Sequence, residues 1–352
     1  MKVEIQPNWA LRGDDGVATT LPALLALLAA VDKLGSITKA ASACGYSYRH
    51  AWGLLRAFSA QFGAELVVKV RGSGTALSPL AEKLLWADRR IAARLTPLLD
   101  SLASELQQEL ASVLPNPAPQ ALRITASHGF AVAALVAQLA EQGITVDVNY
   151  RGSTEAVAAL ARGECDLAGF HIPVGAFGAA AAVNYTRWLN SKQHALLHLA
   201  YRTQGIFVAQ GNPRQIAGLA DLAQPQLRFV NRQHGSGTRV LLDLLLASAG
   251  VDTTAIAGYD TAEFTHAAVA AFVASGMADA GFGVETAARR FGLDFIPVIR
   301  EQYFLACRSE AVHAPMMRAA QEVMASAAFK ATIAELAGYD GALCGTLVPM
   351  AF

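Results

Sequence analysis

Residues 229–243 read FVNRQHGSGTRVLLD. FVN has the short apolar run of a buried strand, a glycine-bearing turn follows, and RVLLDLLLASAG continues with the apolar spacing of a helix. A strand that turns through glycine and serine into a helix is the corner of a parallel βαβ unit. The main-chain amides of GSGT and the Ser236 and Thr238 hydroxyls then collect at a helix N-terminus, where donors are unpaired and the helix dipole favours an anion. The same four letters recur at 72–75, inside KVRGSGTALSP (residues 69–79), but there strand-like residues lie on both sides. That copy reads as a hairpin turn, its glycines supplying positive φ.

Working outward from 229–243, the same alternation fills the C-terminal two thirds. ALRITAS reads as a strand, HGFAVAALVAQLAEQG as a helix, ITVDVNY as a strand, TEAVAALARGE as a helix and CDLAGFHI as a strand. Hydroxyls stand at each corner: Ser127 after the first strand, Ser153 and Thr154 after the second, Thr265 before HAAVAAFVASG. In open parallel sheets these corners lie at the carboxyl edge, where ligands bind, so together they could ring one small oxyanion. His171, Arg232 and His234 could add charge or hydrogen bonds, although each taken singly reads as a surface or packing residue.

Other chemistries are disfavoured. No Walker lysine follows either glycine loop, no GxSxG elbow occurs, and no acid, base and nucleophile set suggests a hydrolase. Cysteines 44, 165, 307 and 344 are scattered with no CxxC pair, and there is no HExxH, so no metal or cofactor is expected. Net charge over 352 residues is zero, but residues 33–83 carry seven basic side chains against Glu65 and Glu82. A nucleic-acid site would therefore be N-terminal. The apolar stretch from Leu21 to Val31 is too short for a membrane span, and Asp14 and Asp15 before it do not suit a signal peptide, which implies a cytoplasmic chain without a membrane partner.

The basic stretch has its own pattern. A buried helix up to Gly35 is followed by a short helix capped by Ser36 or Thr38 and ended at Gly45, and Ser47 caps a third helix. In that third helix Ala51, Leu54, Leu55 and Phe58 share one inward face. Two short helices around a glycine turn form a helix-turn-helix, whose second helix reads bases from its N-terminal end. Ser47, Tyr48, Arg49, His50 and Arg56 are the candidate DNA contacts, joined by Lys69 and Arg71 on a hairpin wing. From Pro79 to Val113 a helix carries Ile91, Leu95, Leu98, Leu102, Leu106 and Leu110 at spacings of three and four, a stripe that must pack on something: a second copy, or its own head. Pro97 within it predicts a kink or a fresh helix start. PNPAPQ (115–120) marks a domain boundary.

The run GSITKAASACGYSYRHAWGLL, above all SYxxAW, resembles the winged helix-turn-helix of the ModE molybdate-responsive regulators, related to the LysR-type head, over about residues 20–88. YRGSTEAVAALARGECDLAGFHI, FVNRQHGSGTRVLLD, AGYDTAEFTHAAVAAFVASGMADAGFGVETAA and DFIPVIREQYFLA are similar to the periplasmic-binding-protein-like domain linked to molybdenum-cofactor proteins, over about 121–345. The chain lacks ModE's own C-terminal molybdate domains. The resemblances imply a mixed fold: an all-α winged helix-turn-helix domain (1–88), a linker and dimerisation helix (89–114), a linker (115–120) and a two-lobed α/β type 2 binding-protein-like sensor (121–352). Two crossover strands would lie near HALLHLAYRTQGIFVA and FIPVIREQYFLACR. By motif, Ser127, Ser153, His171, Arg232, Ser236, Gly237, Thr238, Thr265, His266 and Gly283 would bind ligand, with Arg239 tying its helix to a neighbouring carboxylate instead.

The resemblance implies a dimeric regulator, with a tetramer as a further option, that binds a double-stranded DNA operator and responds to molybdate, tungstate or a related molybdenum-cofactor metabolite. One rival is an enzyme or cofactor-binding protein acting on a molybdopterin-like substrate. Another is the binding component of a transporter, which the basic head and the absent export signal oppose.

Overall fold

Apolar residues at nearly every position of 21–31 force the first long helix into the middle of its neighbours, and the head assembles around it. The computed structural model describes residues 3–12, 16, 18–70, 74–113 and 121–350. Arg71, the first half of the first GSGT and the linker at 115–120 lie outside them. The chain divides into two units, Gln6–Leu95 and Thr96–Phe352 together with the first five residues.

In the first unit, β1 (Ala10–Arg12) and β2 (Ala18–Thr20) pair antiparallel ahead of α1 (Pro22–Leu34), α2 (Ile37–Ala43) and α3 (Tyr48–Phe62). Ser36 Oγ accepts from Lys39 N and Ser47 Oγ accepts from His50 N, so both short helices have the expected serine caps. Leu24, Leu28, Ala40, Leu55 and Phe58 close one core. The wing is β3 (Val67–Val70) paired antiparallel with β4 (Gly74–Leu77). It leans on the end of α1: Thr75 N donates to the Gly35 carbonyl at 2.9 Å. Gly74 has φ +92°, and a side-chain carbon there would stand 2.4 Å from the Gly35 oxygen.

α4 runs from Pro79 to Val113 as one helix. No fresh helix starts at Pro97, because losing a single N–H bond costs about 3 kcal/mol, which a helix of this length absorbs. Leu95, Leu98, Leu102, Leu106 and Leu110 are exposed along it, while Ser101 and Ala103 are buried.

The second unit is the two-lobed α/β fold. Its first lobe holds β5 (Leu122–Ala126), α5 (Phe130–Glu141), β6 (Val146–Tyr150), α6 (Ser153–Arg162), β7 (Leu167–Pro173) and α7 (Gly178–Ala182). The crossover strand β8 (His194–Val208) leads to β9 (Phe229–Arg232), α8 (Gly237–Ser248), β10 (Ala262–Glu263), α9 (His266–Ala274), β11 (Ala280–Val284) and α10 (Glu285–Arg290). β12 (Asp294–Arg308) then returns, followed by α11 (Pro315–Ala325), α12 (Ala327–Ala334) and the short strands β13 (Tyr339–Asp340) and β14 (Leu347–Val348). Strand order is β10-β9-β11-β8-β12-β7-β5-β6, with β13 and β14 also on β8. Pairing is parallel within each lobe (β5 with β6 and β7, β9 with β10 and β11) and antiparallel along β8 and β12. These two strands, the crossovers expected from the sequence, are 15 residues each and belong to both lobes.

Gly74→Ala is expected to destabilise the head by about 1–3 kcal/mol, since it combines a strained φ with an overlap that the Gly35 carbonyl cannot relieve. Chemical denaturation followed by tryptophan fluorescence reads it.

Candidate functional site

The corners leaving the parallel strands meet between the lobes. A side-chain carbon on Gly237 would lie 3.2 Å from Ser153 Oγ and 3.4 Å from His171 Nδ1, and one on Gly152 would lie 2.8 Å from the Gly235 carbonyl oxygen. Glycine at these positions lets the first turn of α8 approach the first turn of α6. At Gly283 a side chain would collide with His266 Nδ1 at 2.6 Å, so this glycine makes room for that imidazole.

The hydroxyls divide by duty. Ser236 Oγ accepts from Arg239 N at 3.2 Å and Thr265 Oγ1 accepts from Ala268 N at 2.9 Å, so both cap their helices. A hydroxyl that accepts in a cap still has its own proton to donate. Thr238 is buried one residue into α8. Ser153 Oγ stands 3.2 Å from His171 Nδ1. Ser127 offers its carbonyl, which accepts from the Tyr303 hydroxyl at 3.4 Å. His234 is exposed, away from this cluster of buried groups. Arg239 pairs with Asp243 at 3.0 Å and covers the Tyr259 ring at 4.0 Å, so it ties α8 to its surroundings.

Charge sets the character of the cleft. Arg202 and Glu301 form a buried ion pair directly across the β8–β12 ladder. Arg232 is also buried. One guanidinium nitrogen donates to the Phe264 carbonyl at 2.7 Å, while its Nε is buried without a hydrogen-bond partner. Burial, and then the charge of Arg202, push the Arg232 guanidinium down to about 9, as expected for a cation short of a counter-charge. His171 Nε2 and His266 Nδ1 are likewise buried and unpaired. Burial, followed by the two arginines, holds both imidazoles well below their ordinary range. Burial and Arg232 lower His128 to about 4. Arg202, Arg232, Glu301 and the neutral imidazoles of His128, His171 and His266 thus lie in desolvated surroundings rich in donors.

Of the residues singled out from sequence, Ser153, His171, Arg232, Gly237, His266 and Gly283 come together here, with Ser236, Thr238 and Thr265 at the mouths of their helices. Arg202, Glu301, Tyr303 and His128 were not singled out. The first two stand in largely apolar crossover stretches, AYRTQGIF with one charge and VIREQYFL with two, a pattern that marks the stretches but not the pairing.

In the head, Tyr48, Arg49, His50 and Arg56 are exposed on α3, Lys69 is exposed on the wing, and Ser47 serves as the cap. Tyr48 packs edge-on against Trp52 at 6.4 Å and His50 against Tyr46 at 5.0 Å, which holds both rings at the helix start. Among the described residues no helix is long and apolar enough to cross a membrane, and no group of three potential metal ligands occurs.

The depressed imidazoles make stability depend on pH. The unfolded chain takes up these protons near pH 6.5 and the folded one only well below, so the stability they contribute is present above pH 6.5 and lost as pH falls. At pH 5 each imidazole still neutral when folded costs about 2 kcal/mol. Thermal melts are expected to drop between pH 7 and 5, and His171→Asn and His266→Asn to shrink the drop.

The model of the PBP superfamily domain matches residues 136–325, more than half the chain, and that of the bacterial regulatory helix-turn-helix protein, lysR family, matches residues 22–82. The uncharacterized protein YvgK of Bacillus subtilis is 35% identical over 199 residues, 56% of this chain and 64% of YvgK, so the chain spans less than two thirds of that relative. The molybdenum transport protein ModE of Herbaspirillum seropedicae is 32% identical over 141 residues, 38% of this chain and 51% of ModE. The solved structure of CbnR, a LysR family transcriptional regulator, is 16% identical with a TM-score of 0.40, over 85% of this chain and 98% of CbnR. The chain belongs to the PBP superfamily, and a segment similar to the lysR-family regulatory helix-turn-helix stands ahead of that domain.

Proposed function

We propose that the interlobe cleft binds a small oxyanion, molybdate or tungstate or a related metabolite of the molybdenum cofactor, and that its occupancy alters how the head grips an operator. The observation that carries the reading is the set of buried polar atoms without partners: Arg232 Nε, His171 Nε2 and His266 Nδ1. Each such atom costs about 1–3 kcal/mol while unpaired, and one compact anion at the N-terminal ends of α6, α8 and α9 would satisfy several at once. The resemblance of the head to ModE regulators and the relative named a molybdenum transport protein favour molybdate and tungstate over other oxyanions. Ser127, Ser236, Gly237, Thr238, Thr265 and Gly283 would complete the binding shell.

The operator is read by Tyr48, Arg49 and His50 at the start of α3, with Arg56, Lys69 and Arg71 meeting phosphate. The leucines exposed on α4 cover one another in a homodimer, which sets two heads on two half-sites. A DNA target places the protein in the cytoplasm. Closure of the lobes can shift operator affinity only if the anion binds the two arrangements with different strength.

Calorimetry of the full chain against molybdate, tungstate, sulfate, phosphate and formate tests the effector, and no heat with any of them defeats this reading. Arg232→Gln is expected to weaken the bound anion about 10- to 100-fold, the worth of a charge-assisted bond of roughly 1.5–3 kcal/mol, while leaving DNA binding intact. Arg49→Ala is expected to do the reverse, weakening binding to an operator selected from a random-sequence pool with anion affinity unaltered.

A further inference from the structure

β6 is the outer strand of the sensor sheet, with β5 on its inner side. An edge strand presents amides with no strand to meet them, and something else must. Two serines of α4 do so. Tyr150 N donates to Ser101 Oγ at 3.0 Å and Val148 N donates to Ser104 Oγ at 3.1 Å. Both hydroxyls pass the bond on, Ser101 to the Pro97 carbonyl at 3.0 Å and Ser104 to Asp147 Oδ1 at 2.6 Å. The two spacings nearly match, since residues three apart on a helix rise about 4.5 Å and outward amides two apart on a strand are separated by roughly 6.7 Å. Short side chains absorb the difference. Ser101 and Ser104, three residues apart and so on one side of the helix, thus mark a second face of α4, distinct from its exposed leucines.

This contact sits beside the cleft. Tyr150 ends β6, its ring lies 4.9 Å from that of His128, and only Arg151 and Gly152 separate it from Ser153. Arg151 N is held by the Ala126 carbonyl at 3.0 Å, so the corner is stiff. Gly152 is the residue that approaches Gly235 of the other lobe. We infer that Ser101 and Ser104 form a latch through which opening and closing of the lobes acts on α4. Movement of the 150–153 corner loads or releases two hydrogen bonds that hold the helix to the sheet edge. What drives closure rests on the effector reading above; the latch does not.

Closure can be imposed without a ligand. A side-chain carbon at 237 would lie 3.2 Å from the γ atom of residue 153, close to the span of a Cβ–S–S unit, so Ser153→Cys with Gly237→Cys should crosslink the lobes. In the full chain, oxidising this pair is expected to change affinity for the selected operator by about fivefold or more, the lower end of ordinary allosteric coupling. Adding Ser101→Ala and Ser104→Ala is expected to cut the change below about twofold. Ser101→Thr with Ser104→Thr, which keeps both hydroxyls, is expected to restore it and so separates loss of the latch from misfolding. Hydrogen exchange at the Val148 and Tyr150 amides should quicken roughly tenfold in the alanine pair alone, as loss of about one hydrogen bond predicts. A crosslink effect that survives the alanines overturns the latch, as does a crosslink without effect on operator affinity. If molybdate, sulfate and phosphate all fail to bind yet the crosslinked chains behave as described, the effector reading falls and the latch stands.

Discussion

The two-lobed domain depends on the pairing of β8 with β12 and on the ion pair set into it. Arg202 and Glu301 face each other across that ladder with almost no exposure to solvent. A buried pair of this kind adds little net stability, because desolvating both charges offsets most of their attraction. Its effect is to fix position. With Glu301 committed to Arg202, Arg232 makes no ion pair among the described residues, and burial first, then the fields of the two arginines, keeps His171 and His266 neutral. The shortage of negative charge follows from two buried guanidiniums of which only that of Arg202 has an ion-pair partner among the described residues.

That shortage has a structural cost. Unpaired buried atoms on Arg232, His171 and His266 work against folding, and apolar packing on both sides compensates. Val157, Leu160 and Phe170 close the first lobe and Phe229, Leu241 and Phe282 the second, while a larger core runs between lobes through Leu197, Leu305 and Val269. The lobes can hold a strained gap because the crossover strands keep them in register.

Much of this was legible in the sequence because it rests on local periodicity. Strand–turn–helix corners, serine caps and the 15-residue crossovers follow from patterns a few residues wide. The approach of Ser153 to Gly237 was implied only by the rule that such corners share one sheet edge. The Arg202–Glu301 pair was not legible, since its members are 99 residues apart and a charge in a strand reads equally well as a solvated face. At Pro97 the fresh helix start that local rules offered beside a kink does not occur. Local rules treat proline as a break, whereas a 35-residue helix anchored along its length tolerates one missing bond. The serines at 101 and 104 carry no signal at all in a helical stretch, where their type suggests only mild disfavour.

The helix caps place a limit on how such a sensor could diversify. Ser236 and Thr265 each hold the first turn of a helix, so exchanging either to suit a new compound would loosen the scaffold that positions the rest. His128, His171 and His266 anchor no helix through a cap of their own. Adaptation to other small molecules would therefore be expected to concentrate at these imidazole positions, leaving the hydroxyl frame as a common chassis.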